Sequence, residues 1–412
     1  MVMRPVNVLW LIDHVCFDGS LHAGGRLYMN LFPHVDPERL RIFPYFLNAS
    51  DAVVRTFAAG EHPVKTLAWS KYDVLAPLRV GRMVRNHEID VMHLFCFGAS
   101  AFGRVSSIWN RVPTVIHEFD TPTYGPYPKM FKLADRLLAS RTDFAFAAST
   151  QCRDFVHEQR SVPLEKIEVL YHAVPREKFQ IARTLDRQSA RRQLGWGADD
   201  FVFLAVTKLG PDRGNETLLA AFAEVRRQMP NARLCIVYRP TLYHRVPLKY
   251  QDIPWVSDPL AMRTRIDDLV SRHGLNDCVS LVEMEAPERH EPYFSGSDLL
   301  VLPFESPLFS SVNMIEAMLY GRAQVVTDLG EPADIVDRWG GGLKVPPKDP
   351  AALAAGMLRL ARNDALRESL SQKTRAAADR FGVDAVAERL TELYTRLADR
   401  EPVQSQQVRA AV

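Results

Sequence analysis

The sequence is poor in cysteine, in long apolar runs and in net charge, and each shortage excludes a class of protein. Its five cysteines are far apart and never form a C-x-x-C pair, which excludes a disulfide framework and a zinc knuckle. No stretch reaches the ~18 apolar residues of a membrane span, and the apolar run over residues 8–12 is followed by no signal-peptide cleavage site. The formal net charge of +2 argues against nucleic-acid binding. We therefore expect a cytoplasmic protein with no nucleic-acid partner.

The chain is long enough for more than one core. It has 412 residues, of which 47% are hydrophobic, enough for two domains of roughly 150–200 residues each. Short apolar runs alternate with helical patterns, and this alternation predicts βαβ units and a parallel sheet. It occurs twice, so the sequence predicts two Rossmann-like α/β domains. The predicted strands are residues 6–12, 91–95, 115–117 and 144–148, then 201–206, 233–237, 279–282, 299–303 and 324–327.

Composition gives the domain boundaries. The polar stretch over residues 176–195 indicates a connector with a short helix, so we place the first domain at 1–185 and the second at 186–383. Apolar residues at helical spacing predict a terminal helix over 384–400. The polar residues 401–412 are expected to form a flexible tail.

Two cations lie in the loop that opens the second domain. The strand over residues 201–206 is followed by Lys208, Arg213 and Gly214, and then by a helix from about Asn215. In a doubly wound sheet, the loop after a strand borders the ligand crevice, so Lys208 and Arg213 are candidates to bind a diphosphate. The alternative is that both are solvated surface charges.

A second candidate loop follows the strand over residues 299–303 and leads into a helix near Met314. Free amides at a helix start attract phosphate oxygens, and a carboxylate one turn later, here Glu316, can accept hydrogen bonds from a ribose diol. The alternative for Glu316 is an ordinary acidic residue in a first helical turn. The candidate donor-binding residues of this loop and helix are Glu305, Ser310, Ser311, Val312, Asn313 and Glu316.

Taken together, these stretches resemble the retaining glycosyltransferases of the GT-B fold, in the large bacterial family with a paired-glutamate donor motif, the family 4-like "glycosyl transferases group 1". The resemblance implies two Rossmann-like domains that face each other across a cleft, with the C-terminal helix packing back on the N-terminal domain. It also implies transfer of a sugar from a nucleoside diphosphate to an acceptor. The matching stretches are Gly24 with Gly25, and residues 90–93, 113–117, 208–214, 303–321 and 342–350.

The resemblance assigns roles to residues of the second domain. Lys208 and Arg213 take the places of the family's two cations that grip the donor diphosphate, and Glu316 matches the glutamate that binds the ribose. The first glutamate of the motif falls on Leu308, which cannot make that polar contact. Glu305, three residues earlier, is a possible substitute.

In the first domain, Gly24 and Gly25 resemble a glycine-rich loop before a helix, whose backbone approaches the donor phosphates and the acceptor. The alternative is a simple turn. His117 matches the family's active-site histidine, against the alternative of a structural histidine. Glu118 and Asp120 follow it and are candidates to hold the acceptor.

The resemblance also implies a mechanism. The acceptor attacks on the face that the diphosphate leaves, with His117 steadying the donor sugar. The chain has no D-x-D pair and no metal-ligand spacing, so Lys208 and Arg213 are expected to neutralise the leaving group without a metal or cofactor. The expected partners are a nucleotide-sugar donor and a glycan, lipid-linked or small-molecule acceptor.

A cationic amphipathic stretch over residues 127–141 suggests peripheral contact with an anionic membrane, against the alternative of a buried helix with one solvated face. Two other functions also remain open. One is a sugar-nucleotide epimerase on the same fold, which would consume donor without acceptor. The other is a catalytically silent binding or regulatory subunit, because Leu308, His172 and Tyr238 depart from the family pattern.

Overall fold

A computed structural model of the protein describes residues 4–14, 23–48, 64–70, 73–119, 127–210, 212–239, 258–284, 289–307 and 312–400. These residues divide into two compact units. The first comprises Met1–Ala173 with Val383–Val412, and the second is Val174–Gly382. The division after Ala173 comes earlier than the predicted boundary at residue 185.

All strands of both sheets run parallel. The strands are β1 (Val6–His14), β2 (Leu40–Asn48), β3 (Lys65–Thr66), β4 (Val91–Phe95), β5 (Thr114–Glu118), β6 (Phe144–Ala147), β7 (Ile167–Val169), β8 (Phe201–Lys208), β9 (Ala232–Arg239), β10 (Val279–Glu283), β11 (Leu299–Leu302), β12 (Ala323–Thr327) and β13 (Gly342–Val345). The order is β3-β2-β1-β4-β5-β6-β7 in the first unit and β10-β9-β8-β11-β12-β13 in the second.

Helices connect these strands, as parallel pairing requires. They are α1 (Ala23–Leu31), α2 (Ala76–Asn86), α3 (Cys96–Asn110), α4 (Lys129–Leu138), α5 (Thr150–Arg160), α6 (Arg176–Thr184), α7 (Arg187–Leu194), α8 (Asn215–Gln228), α9 (Pro259–Arg272), α10 (Glu291–Gly296), α11 (Val312–Leu319), α12 (Gly330–Trp339), α13 (Pro350–Arg362), α14 (Asp364–Ala378) and α15 (Val383–Ala398). Each unit is therefore a Rossmann-like α/β domain, as the sequence predicts.

Every strand predicted from the sequence exists, and four further strands among the described residues were missed. β2 escaped detection because Pro44 interrupts its apolar run, and proline removes a hydrogen-bond donor from a sheet. β3 and β7 are too short to show a period, and β13 begins with glycine. The connector of residues 176–195 forms two helices, α6 and α7, instead of one short helix.

Those two helices explain the earlier boundary. The Arg191 guanidinium of α7 donates to the Gly296 carbonyl at 3.0 Å, and the Lys178 ammonium of α6 is 2.5 Å from the Glu291 carboxylate. Both contacts lie within the second unit. A polar stretch that looks like a connector in the sequence is thus part of the second domain's outer layer.

The C-terminal helix α15 belongs to the core of the first unit. The stripe predicted from the sequence, which includes Val386, Leu390 and Leu393, is buried in one hydrophobic cluster with Trp10 and Phe95. Outside this cluster, the Arg389 guanidinium contacts the Glu168 carboxylate of β7 at 2.6 Å. The last helix of the chain therefore completes the first domain.

Candidate functional site

The second unit has a topological switch point between β8 and β11. β8 is the first strand of this unit, and the chain continues to β9 on one side and returns to β11 on the other. Ligands of doubly wound sheets bind outside the carboxyl ends of the strands at such a point. Lys208 is the last residue of β8, and Arg213 follows in the loop before α8. The two predicted cations therefore belong to the segment where this fold binds ligands.

The loops after β8 and β11 pack tightly on each other. Gly214 has φ +66°, and a Cβ added there would lie 1.7 Å from the Pro303 carbonyl oxygen. The Glu305 amide donates to the Asp212 carbonyl at 3.0 Å. Only glycine fits this position, because it tolerates the left-handed region and leaves room for the neighbouring backbone. Gly214 thus lets the two loops form a single rim.

Side chains reinforce this rim. The Asn313 amide of α11 donates to the Val206 carbonyl at 3.1 Å, and the Asn215 amide of α8 donates to the Lys208 carbonyl at 3.2 Å. The Thr217 hydroxyl donates to the Glu305 carboxylate at 2.6 Å. Of the predicted donor-binding residues, Asn313 and Glu305 are therefore both held against the β8 side of the rim.

The two cations differ in their surroundings. Lys208 is half-buried at the end of β8. The Arg213 Nε is 3.7 Å from the Asp212 carboxylate, which is buried, and its guanidinium carbon lies 6.0 Å from the centre of the Phe304 ring. A guanidinium next to one buried carboxylate and one aromatic ring is held in place and keeps donors for an anion.

Glu316 lies one turn into α11. An ordinary acidic residue in a first helical turn would be exposed to solvent. Glu316 is only 8% exposed, and its Oε2 is 3.8 Å from the Lys178 Nζ and 3.9 Å from the His290 Nδ1. Burial opposes ionisation of the neighbouring Glu291, but the hydrogen bond and charge of Lys178 still hold the pKa of Glu291 below its usual value. A buried carboxylate among cationic and imidazole groups is typical of a binding site rather than of a surface helix.

Several predicted residues of this loop lie outside the described part of the chain. They are Leu308, Ser310 and Ser311. Val312, predicted as part of the loop, is the first residue of α11. Glu305 accepts a hydrogen bond from the Thr217 hydroxyl through Oε1, so this oxygen helps to hold the rim together.

In the first unit, His117 is buried in β5 and surrounded by rings. It is 1% exposed, it stacks on Phe119 at a centroid distance of 4.2 Å, and its Nδ1 is 3.2 Å from the Nε2 of His93 on β4. Gly24 and Gly25 lie in the first turn of α1 and not in a loop before it. Asp120 lies outside the described residues.

Glu118 belongs to a buried charge network. Its carboxylate pairs with the Arg160 guanidinium, and both side chains are at most 7% exposed. Arg160 also contacts Asp135 at 3.1 Å, and Asp135 pairs with Arg104. Two arginines and two carboxylates compensate one another here, as buried charges must. The structure thus gives Glu118 a partner inside the domain instead of an exposed carboxylate for an acceptor.

Sequence reasoning missed several residues of both sites. Lys178 and His290 lie far from Glu316 in sequence, so no spacing pattern connects them with it. His93 and Tyr394 are brought to His117 only by sheet pairing and by the return of α15. A polar residue inside an apolar strand, as His93 is in β4, was the one signal available.

The described residues contain no group of three or more histidine, cysteine, aspartate or glutamate side chains placed to hold a metal ion. Among the same residues, no helix combines the length and apolar character needed to cross a bilayer.

Comparisons with known proteins cover most of the chain. A family model described as "Glycosyl transferases group 1" matches residues 186–377, and one described as "Glycosyl transferase 4-like domain" matches residues 35–172. The first match includes Lys208, Arg213 and Glu316, and the second includes His117. The two models therefore match the two domains separately.

Similar curated proteins and solved structures are also glycosyltransferases or have a similar fold. A D-inositol 3-phosphate glycosyltransferase of Thermobispora bispora is 28% identical over 269 residues, 65% of this chain and 57% of that protein. The chain thus spans little more than half the length of that relative. An alpha-D-kanosaminyltransferase of Streptomyces kanamyceticus is 22% identical over 80% of this chain and 83% of its own. The crystal structure of Anabaena Alr3699/HepE in complex with UDP has a TM-score of 0.75 at 19% identity, covering 95% of this chain and 100% of that one.

Proposed function

We propose a sugar-transfer function for this chain, which belongs to the glycosyl transferases group 1 family and carries a glycosyl transferase 4-like domain in its amino-terminal half. The donor is a nucleoside diphosphate-sugar, and the acceptor is a glycan, a lipid-linked sugar or a small polyhydroxylated molecule. The anomeric configuration is retained.

One observation carries this proposal: at the switch point of the second unit, Lys208 ends the first strand and Arg213 lies in the loop that follows. This fold binds ligands at such a switch point, so a bound diphosphate would lie next to the two cations. Fixed positive charges there stabilise the diphosphate more strongly as it gains negative charge on leaving. Asn313, at the start of α11, adds a helix N-terminus on the same rim. Glu316 is assigned to the ribose hydroxyls.

The chemical step needs no group beyond these. The bond between the anomeric carbon and the phosphate oxygen breaks, and the acceptor oxygen bonds to the same face of that carbon. The acceptor proton passes to the departing phosphate oxygen. Lys208 and Arg213 neutralise the leaving diphosphate, so we propose a metal-independent enzyme without cofactor. His117 contacts the donor sugar and holds it in position for attack.

A binding panel tests the donor class. Because the Anabaena structure holds UDP, UDP is the first member, followed by GDP, ADP and inorganic phosphate. A nucleoside diphosphate at a hundred times its dissociation constant is expected to stabilise the protein by about 2.7 kcal/mol, seen as a rise in melting temperature. If no nucleoside diphosphate stabilises the protein more than phosphate does, the donor assignment is wrong.

A transfer assay then tests turnover. The sugar of the stabilising nucleotide is expected to appear on an inositol phosphate, glycan or lipid-linked acceptor with its configuration retained, at the same rate with and without a chelator. Consumption of donor without acceptor indicates an epimerase. Binding without turnover across the acceptor panel indicates a silent binding subunit. An inverted product or loss of activity with chelator contradicts retention or metal independence, respectively.

We also propose that the protein is located in the cytoplasm and that its first domain binds an anionic membrane through α4. Among the described residues, the buried cysteines Cys96, Cys152, Cys235 and Cys278 form no disulfide, which supports a reducing compartment.

The surface of α4 supports the membrane contact. Met130, Leu133 and Leu137 are 71%, 58% and 72% exposed, and their spacing puts them on one stripe of the helix. They are flanked by the exposed cations Lys129 and Arg136. The one acid of α4, Asp135, is buried and paired with Arg104. The exposed face of α4 therefore combines apolar and cationic side chains, which supports contact with an anionic lipid surface over a merely solvated face.

Replacing Leu137 by glutamate tests this contact. The wild-type protein is expected to sediment with vesicles that contain phosphatidylglycerol more strongly than with pure phosphatidylcholine. Leu137→Glu is expected to weaken that binding by at least about tenfold, since burial of one leucine contributes about 1.5–3 kcal/mol.

The matched control is Leu260→Glu on α9. Leu260 is also 72% exposed but lies in the second unit, so this variant is expected to bind vesicles like wild type. Equal loss in both variants, or no binding of wild type to anionic vesicles, contradicts the membrane assignment.

A further inference from the structure

A line of four side chains runs through the core of the first unit and ends at His117. The Trp10 Nε1 of β1 is 3.1 Å from the Tyr394 hydroxyl of α15. That hydroxyl is hydrogen-bonded to the Nδ1 of His93 on β4, and the His93 Nε2 is 3.2 Å from the His117 Nδ1 on β5. All four side chains are at most 1% exposed, so no solvent competes for these hydrogen bonds.

The chemistry of the first member fixes the direction of the line. An indole nitrogen only donates, so the Tyr394 oxygen accepts the Trp10 proton. The hydroxyl then has one proton of its own to donate. Within the part of the chain that the structure describes, its other partner is the His93 Nδ1. Tyr394 therefore donates to His93 Nδ1, and His93 acts there as the acceptor.

The opposite direction is unfavourable. If His93 donated from Nδ1 to Tyr394, the hydroxyl would accept twice and its proton would have no acceptor among these groups. Leaving a buried polar group without a partner costs about 1–3 kcal/mol. At about 1.4 kcal/mol per factor of ten, that cost favours the first direction by roughly tenfold or more.

Burial also keeps both middle members in the protonation states that this direction needs. It lowers the pKa of His93 to about 3, so His93 is neutral and has one acceptor and one donor nitrogen. It raises the pKa of Tyr394 well above its usual value, so the hydroxyl keeps its proton. A neutral His93 that accepts at Nδ1 must carry its proton on Nε2 and donate it to His117.

We propose that Tyr394 and His93 are positioning residues that fix the tautomer of His117, with the Trp10 N–H holding the Tyr394 hydroxyl in the donating orientation. His117 accepts at Nδ1 and therefore carries its proton on Nε2. This inference rests on the proposed function for its catalytic consequence, but the hydrogen-bond direction stands independently of it.

The consequence is that His117 presents a hydrogen-bond donor to the substrate. A histidine with its proton on Nε2 can donate to a sugar oxygen, and it cannot accept a proton at that nitrogen while neutral. This line of hydrogen bonds also gives α15 a role beyond packing. The helix supplies Tyr394, which acts through His93 on His117 in β5.

Nuclear magnetic resonance tests the tautomers directly. In protein labelled with ¹⁵N at histidine, long-range ¹H–¹⁵N correlations distinguish protonated from unprotonated ring nitrogens, and His93→Gln and His117→Gln identify the two sets of signals. Both rings are expected in the Nε2–H form. An Nδ1–H form of His117 in the wild-type protein overturns the inference, whatever the enzyme assays show.

Tyr394→Phe tests the coupling. Without the hydroxyl, His93 has no donor at Nδ1, and the His117 signals are expected to move towards a mixture of tautomers. The matched control is Tyr45→Phe, which removes the hydroxyl of another tyrosine–histidine pair, 2.7 Å from the Nε2 of His87. Tyr45→Phe is expected to change the His87 signals and leave His117 as in wild type.

Enzyme kinetics then test whether the tautomer of His117 matters for sugar transfer. Tyr394→Phe is expected to lower kcat roughly 10- to 100-fold, as happens when an outer hydrogen-bond partner of a metal-bound histidine is removed. The donor KM is expected to change much less than kcat, because the proposed diphosphate ligands lie in the second unit and keep their contacts. An unchanged kcat with a mixed His117 tautomer overturns the positioning role. Absence of transfer in the wild-type protein refutes the proposed function but leaves the tautomer measurement decisive.

Discussion

Lys208→Ala and Arg213→Ala are each expected to abolish the thermal stabilisation by nucleoside diphosphates and to lower kcat roughly 10²- to 10³-fold. The physical reason is that both cations are proposed to neutralise the charge that grows on the leaving diphosphate, and one fixed donor in such a site contributes about that much. The measurements are the rise in melting temperature with the stabilising nucleotide and the rate of sugar transfer.

The matched control for these variants is Arg227→Ala. Arg227 lies in the last turn of α8, 71% exposed and paired with Glu224, so its loss removes a cation from the same domain without touching the rim. It is expected to bind and transfer like wild type. If Lys208→Ala and Arg213→Ala keep the thermal shift, the phosphate assignment is refuted and the proposed function loses its main support.

Gly214→Ala is expected to lower the free energy of unfolding by on the order of 4 kcal/mol. The new Cβ would collide with the Pro303 carbonyl oxygen, at 1.7 Å, and the left-handed φ of +66° would strain any other residue. Relief requires the loops after β8 and β11 to separate, so donor binding is expected to weaken along with stability. Denaturant unfolding and nucleotide titration measure the two effects.

Gly195→Ala separates strain from collision. Gly195 also has a left-handed φ, +68°, but a Cβ there meets no atom within 4 Å. Its replacement is expected to cost only the conformational part, about 1–2 kcal/mol, and to leave nucleotide binding unchanged. Equal destabilisation by the two substitutions would show that the contact between the two loops contributes nothing.

Most of the architecture could be predicted from the sequence because the strands of parallel sheets have a characteristic local pattern. Their strands are buried on both faces and appear as continuous apolar runs, as in β1, where residues 8–12 are all fully buried. Where the signal is weak, the prediction failed. Pro44 hid β2, and the polar surface of α6 and α7 resembled a connector, whereas both helices pack within the second unit.

The sequence could indicate candidate site residues where they lie at or near the end of a predicted strand. Lys208 ends β8, Arg213 follows it and His117 lies in β5, so the predicted strands alone pointed to these residues as candidates. Glu118 is the opposite case. Its place next to His117 suggested an acceptor contact, but its carboxylate pairs with the Arg160 guanidinium, which comes from helix α5.

The sequence by itself determined the fold class, the family and the segments that carry the candidate donor ligands, because burial patterns and strand-to-loop spacing are local properties of the chain. Only the tertiary structure decided which polar groups meet. Tyr394 reaches His93 and Lys178 approaches Glu316 across long sequence separations. Such pairs depend on how helices and strands pack, and no spacing along the chain encodes the direction of a hydrogen bond between them.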